Sequence, residues 1–173
     1  MILPPLQDIT NVCEKDYVFI GRDELSVDDK NDEIIRVEWT VNPPSGFRYV
    51  NGTGDTSRYP EMVFEHGSYR LEGRYWNHCQ NEGTVTLNIV TDEFIPVEPL
   101  SDDTVCSRTE PFILTAEPAG GEWSSVDRML KEIDGEVYFD PYLDAERDYE
   151  VVYTYRNGSC VDRETVVHPQ HPA

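Results

Sequence analysis

Four cysteines, a dense run of acids and a tryptophan set beside an arginine are the residues whose chemistry this sequence could use. Cys13, Cys79, Cys106 and Cys160 fall as two early–late pairs on either side of residues 91–103. None belongs to a C-x-x-C motif, which argues against both zinc and a redox dithiol. An even cysteine count in short, strand-rich segments points to disulfides and to an oxidising compartment. Their placement predicts Cys13–Cys79 and Cys106–Cys160, each bridge tying an entry segment to a hairpin of its own domain. Closing a loop of that length stabilises by about 4 kcal/mol in chain-entropy terms.

The acids suggest a cation. Asp28, Asp29, Asn31, Asp32 and Glu33 place five oxygen donors within six residues. Calcium takes six to eight oxygens, often from such loops, although the spacing here is not that of an EF-hand. Asp102 and Asp103 form a second acidic step. The competing reading of both is a solvated acidic loop. Trp76 sits on the polar side of its strand beside Arg74, where an indole could stack on a sugar ring; the competing reading is a partly buried packing residue.

No catalytic set accompanies these groups. The sequence has no nucleophile elbow, phosphate loop or H-E-x-x-H motif. His66-Gly67-Ser68 reads as a turn between strands, and His168 and His171 flank prolines in a terminal tail that would not hold them in place. The expectation is no enzyme and no cofactor beyond calcium. With 34 acidic against 14 basic residues, the net charge of -20 repels nucleic acid and anionic lipid headgroups. No apolar run approaches a membrane span, so direct membrane contact is not expected. Met1 to Pro5 lacks the basic and apolar segments of a signal peptide. An extracellular location therefore implies a piece of a longer exported chain.

The elements that would position these residues are strands. Ile35, Val37, Trp39 and Val41 alternate with Arg36, Glu38 and Thr40, the period of a half-buried strand. Tyr69, Leu71, Gly73 and Tyr75 alternate with Arg70, Glu72 and Arg74, and Val85, Leu87 and Ile89 with Thr84, Thr86 and Asn88. The polar stretch 77–83 between the last two reads as a hairpin connection holding Cys79. In the second half, strands are expected at 112–116, 136–139, 149–155 and 161–167, with one or two helical turns within 125–133. Asn51-Gly52-Thr53 and Asn157-Gly158-Ser159 match the glycosylation sequon, but each asparagine–glycine step reads as a turn.

The halves repeat one grammar. Tyr69-x5-Tyr75-x-Asn77-x-Cys79 aligns with Tyr149-x5-Tyr155-x-Asn157-x2-Cys160, and one core tryptophan, Trp39 or Trp123, lies between the cysteines of each half. Pro96 and Pro99 mark a stiff linker. Two tandem β-sandwich domains follow, 1–98 and 99–173, with one disulfide each and standing end to end.

The first half, through Val37-Glu38-Trp39-Thr40-Val41 and Gly67-Ser68-Tyr69-Arg70-Leu71, resembles polycystic-kidney-disease (PKD-like) immunoglobulin-type repeats. The second half resembles the related Ig-like repeats of large Bacteroidetes surface proteins. Its signals are Val105-Cys106, Phe112-Ile113-Leu114-Thr115-Ala116, Gly120-Gly121-Glu122-Trp123, Phe139-Asp140-Pro141 and Tyr153 through Cys160. The F-G-D-G usual after the PKD tryptophan strand is absent; Val41-Asn42-Pro43-Pro44 stands there. The resemblance implies gliding-motility adhesins exported by the type IX secretion system. It further implies a cell-surface filament whose partners are neighbouring repeats and a polysaccharide or other substratum. A carbohydrate-binding or spacer module of a secreted glycan-degrading enzyme is the alternative.

Overall fold

The computed structural model describes residues 6–21, 34–99, 105–106, 110–126, 128–141 and 148–171. Every regular element among them is a β-strand, so the chain is all-β as the alternation requires. Its contacts gather into two compact units, Met1–Phe94 with Gly158–Cys160, and Ile95–Asn157 with Val161–Ala173.

The first unit contains β1 (Ile9–Cys13), β2 (Tyr17–Phe19), β3 (Ile34–Asn42), β4 (Phe47–Tyr49), β5 (Glu61–Phe64), β6 (Gly67–Asn77) and β7 (Glu82–Asp92). One sheet runs β1-β7-β6-β3 and the other β2-β5-β4. Their apolar faces meet in a core of Ile20, Met62, Phe64, Leu71 and Ile89, with Trp39, Tyr69 and Tyr75 around it. Trp39 stands directly opposite Gly73 of β6. A Cβ at Gly73 would lie 2.7 Å from the Trp39 ring, so glycine in mid-strand is what makes room for the indole. The indole N–H then donates to the Ser57 carbonyl at 2.9 Å, which fastens the 50–60 loop over the core.

The alternation read along β3 needs one correction. A bulge lies between Ile34 and Arg36, so Ile34 is buried and Ile35, expected on the core side, faces out. From Arg36 onward the alternation holds. Arg36, Glu38, Thr40 and Asn42 face Trp76, Arg74, Glu72 and Arg70 of β6. Those four in turn face Glu82, Thr84, Thr86 and Asn88 of β7.

The second unit contains β8 (Glu98–Pro99), β9 (Val105–Cys106), β10 (Phe112–Ile113), β11 (Ala116–Glu117), β12 (Glu122–Ser124), β13 (Leu130–Ile133), β14 (Glu136–Phe139), β15 (Asp148–Asn157) and, apart from its first residue, β16 (Cys160–His171). Its sheets are β12-β15-β16-β9, β10-β14-β13 and β11-β8. Leu114, Met129, Phe139, Tyr149 and Val151 form a smaller core, against which Trp123 packs partly buried. Of the stretch 125–133, where helical turns are expected, residues 130–133 instead form β13, which pairs with β14 across Asp134-Gly135. Both turn residues adopt left-handed φ, +53° and +83°, as a two-residue Asp-Gly hairpin demands.

The proline tail is also corrected. β16 continues through it, and His168 is fully buried with its ring 4.8 Å from Phe139 and 5.6 Å from Phe112. It is a core residue held by two aromatic rings.

The two four-stranded sheets share one order, with β9, β16, β15 and β12 standing where β1, β7, β6 and β3 stand in the first. In both, an edge strand pairs parallel to the long last strand. Trp39 opposite Gly73 and Trp123 opposite Tyr153 occupy matching positions, since Gly73 and Tyr153 each follow the repeat tyrosine by four residues.

Candidate functional site

Both expected cysteine pairings are overturned. Cys13 is bonded to Cys160, 147 residues away, with a Cα–Cα separation of 4.8 Å that suits a disulfide. Cys79 is free and exposed. Strand direction explains why. β1 runs parallel to β7 and places Cys13 beside Asp92, the last residue of β7. Cys79 lies in the tip before Glu82, where β7 begins. Ten strand rises separate those ends, about 34 Å, against the ~7 Å limit for a bridge. The second unit repeats the arrangement. Cys106 pairs with His171 at the end of β16, whereas Cys160 begins that strand. Neither cysteine of an edge strand can reach the hairpin of its own sheet.

Around the bridge the chain builds a polar corner. β15 and β16 are joined by Gly158-Ser159, with Gly158 at φ +60°, the geometry of a tight Gly-x hairpin. A Cβ at Gly158 would collide with the Asp92 carboxylate. That carboxylate accepts from the Ser159 backbone N–H and from the Ser159 hydroxyl, both at 2.7 Å. These two donors, the backbone one first, hold Asp92 below the usual carboxylate range, with the nearby His66 adding a smaller effect in the same direction. The Cys160 sulfur rests 3.3 Å from the Asp92 carbonyl oxygen.

Glu14 completes the corner from the other side. Its backbone N–H donates to the Asp92 carbonyl at 3.0 Å. Its carboxylate accepts from the backbone N–H groups of His66 (3.1 Å) and Phe94 (3.2 Å). Thr91, buried, accepts from Gly67 N–H and donates to the Glu65 carbonyl. The residue after Cys13 and the last residues of β7 are thus locked in place, so the sulfur that receives Cys160 is preorganised. Nothing here is a nucleophile beside a base. The chemistry of the corner is covalent attachment.

Trp76 and Arg74 lie on the outer face of β6. The Arg36 guanidinium sits 4.6 Å from the Trp76 ring centroid and the Arg74 guanidinium 5.6 Å from it. Arg74 pairs with Glu82, and Arg36 with Glu38. Hydrogen bonding from Arg74 and then its charge hold the Glu82 carboxyl below its ordinary range. At the other end of the same face Asp8 accepts from the Asn88 backbone and side chain. The ring of Trp76 is therefore stacked by this chain's own cations and is only half-exposed.

Asp28, Asp29, Asn31, Asp32, Glu33, Asp102 and Asp103, the candidate calcium ligands, lie outside the described residues. Among the described residues no three His, Cys, Asp or Glu side chains converge on a common point. The side chain of Cys106 is likewise undescribed.

No family model matches the chain, and no curated protein matches it. Among solved structures it is similar to the PKD domain from KIAA 1837 protein. That match has 16% identity and a TM-score of 0.43, over 53% of this chain and 85% of that one. It is also similar to extracellular domains 3–5 of Drosophila OTK, with 11% identity and a TM-score of 0.49, over 98% of this chain and 61% of that one. A third is the Bacteroides ovatus mixed-linkage glucan utilization locus SGBP-B, solved with a mixed-linkage heptasaccharide. It shares 12% identity at a TM-score of 0.35, over 98% of this chain. This chain spans 43% of that protein's length.

Proposed function

We propose that this chain is a structural and adhesive repeat pair, residues 1–98 and 99–173, of a large bacterial cell-surface adhesin. It acts without catalysis, outside the cell, within a filament of the gliding-motility kind exported by type IX secretion. The motif resemblance supports the family, and a disulfide supports an oxidising compartment. The observation that carries a load-bearing role is the span of the Cys13–Cys160 bridge. Tension applied at the two ends runs through the thirteen residues up to Cys13, across the sulfurs, and out through the fourteen from Cys160 onward. Residues 14–159 lie inside a covalent loop and carry none of it through the backbone.

The bridge sets the length the chain can yield. Unfolded but oxidised, it extends to about 95 Å; reduced, the whole chain reaches about 600 Å at ~3.5 Å per residue. Pulling from both termini tests this. The oxidised chain should stop about 500 Å short of the reduced one. Full extension of an oxidised sample would sink the load-bearing role.

For sugar recognition, Trp76 would first have to shed a guanidinium, so the outer face of β6 supports a glycan platform less well than the bridge supports a load path. A calcium role for Asp28–Glu33 and Asp102–Asp103 rests on carboxylate density. Melting curves in calcium and in magnesium at fixed ionic strength judge it, since binding to the folded state alone must separate them.

A further inference from the structure

The cysteines of the two halves occupy equivalent places, yet only one from each half is joined. Cys13 and Cys106 each end an edge strand that runs parallel to the last long strand, beside that strand's final residue. Cys79 and Cys160 each follow the repeat motif Tyr-x5-Tyr-x-Asn, Cys79 in the tip before that same strand and Cys160 as its first residue. The single bridge joins the edge-strand cysteine of the first half to the hairpin cysteine of the second. Within one half the two sites stand at opposite ends of an eleven- or twelve-residue strand and cannot meet.

From this equivalence, and resting on the repeat-pair reading, we infer a disulfide ladder. In it the hairpin cysteine of each repeat bonds the edge-strand cysteine of the repeat before it. Cys79 is the hairpin cysteine whose partner belongs to a preceding repeat. Cys106 is the edge-strand cysteine whose partner belongs to a following one. The free, exposed thiol of Cys79 is then a rung awaiting its other half. The bond forms by exchange with a small disulfide such as oxidised glutathione. One cysteine thiolate attacks it, forming a mixed disulfide and expelling one glutathione thiol. The second cysteine thiolate displaces the other, so two protein thiols are oxidised and one glutathione disulfide is reduced to two thiols.

The test is a direct head-to-tail fusion of two copies of this chain, with Cys79→Ser in the first copy and Cys106→Ser in the second. It is refolded in a glutathione redox buffer and mapped by mass spectrometry without reduction. The expected result is three bridges: Cys13–Cys160 in each copy, and Cys106 of the first copy with Cys79 of the second. The mirror fusion carries Cys106→Ser in the first copy and Cys79→Ser in the second. It should show the two Cys13–Cys160 bridges and two alkylatable thiols. Intact Cys13–Cys160 bridges with Cys106 and Cys79 both alkylated in the first fusion would overturn the ladder. That outcome leaves the load-bearing reading to be judged by pulling. Bridges of Cys13 to Cys79 would overturn both.

Discussion

The two long hairpins of this molecule are written in nearly the same residues and end in opposite states. The β6–β7 tip turns within itself. Buried Asn77 accepts with its side-chain carbonyl from the N–H groups of Cys79 and Asn81, at 3.0 and 2.9 Å, and Cys79 is left exposed. The β15–β16 tip turns outward in its bonding. Ser159 gives its backbone and hydroxyl protons to Asp92, and Cys160 is buried and bridged. The difference teaches that a hairpin cysteine's fate is decided by whether an edge strand is brought to it, and not by the hairpin's own sequence.

The sharpest way to break the comparison is to remove each thiol. Cys160→Ser opens a loop of 147 residues, and chemical denaturation of the variant should register a loss of about 5 kcal/mol. Cys79→Ser, at an exposed and unbonded position, should stay within about 0.5 kcal/mol of the parent. Equal losses would mean that the tips are not different in kind.

Next in size is the self-contained turn. Asn77→Ala strands two backbone donors under a buried side chain and should destabilise by about 1–3 kcal/mol in the same measurement. Asn157→Ala, half-exposed, should cost less than that. A smaller loss of about 1–2 kcal/mol is expected for Gly158→Ala, from the left-handed φ alone. Its added methyl also meets Asp92, so the amide of Ser159 should lose protection from hydrogen exchange.

The finest distinction is in acid. Asp92 has its folded pKa depressed by Ser159, so its contribution is present above the unfolded carboxylate pKa and is lost as pH falls through the folded value. Protection of the Ser159 amide should therefore survive moderate acid and fail below the ordinary carboxylate range. Asp92→Asn should remove that dependence while leaving the β6–β7 tip unaffected. A Ser159 amide whose protection ignores pH would show that the carboxylate does not hold the tip.

Much of this was legible in the residues and some was not. Strict alternation identified the middles of β6 and β7, residues 69–75 and 84–89, though each strand runs two or three residues further at both ends, and it put Trp39 on the core side. Both hairpins announced themselves by polar, turn-forming tips. Ile35 was misplaced because a bulge adds one residue without any local mark. Residues 130–133 were misread although Asp134-Gly135 is a strong hairpin signal just beyond them. His168 was lost to its prolines, which suggested a tail where β16 continues. The cysteine pairing failed for a deeper reason. Parallel pairing of β1 with β7 joins residues some eighty positions apart, and no local pattern encodes the direction in which an edge strand is laid down.

The long span of the bridge also orders events in time. In a chain exported from its N-terminus, Cys13 and Cys79 reach the oxidising compartment before Cys160 does. In that interval Cys79 is the thiol nearest in sequence and the wrong one. What refuses it is β7: once Cys13 is laid beside Asp92, the earlier thiol is a strand's length away. The first sheet therefore acts as a proofreader, holding one sulfur in reserve until its late partner arrives.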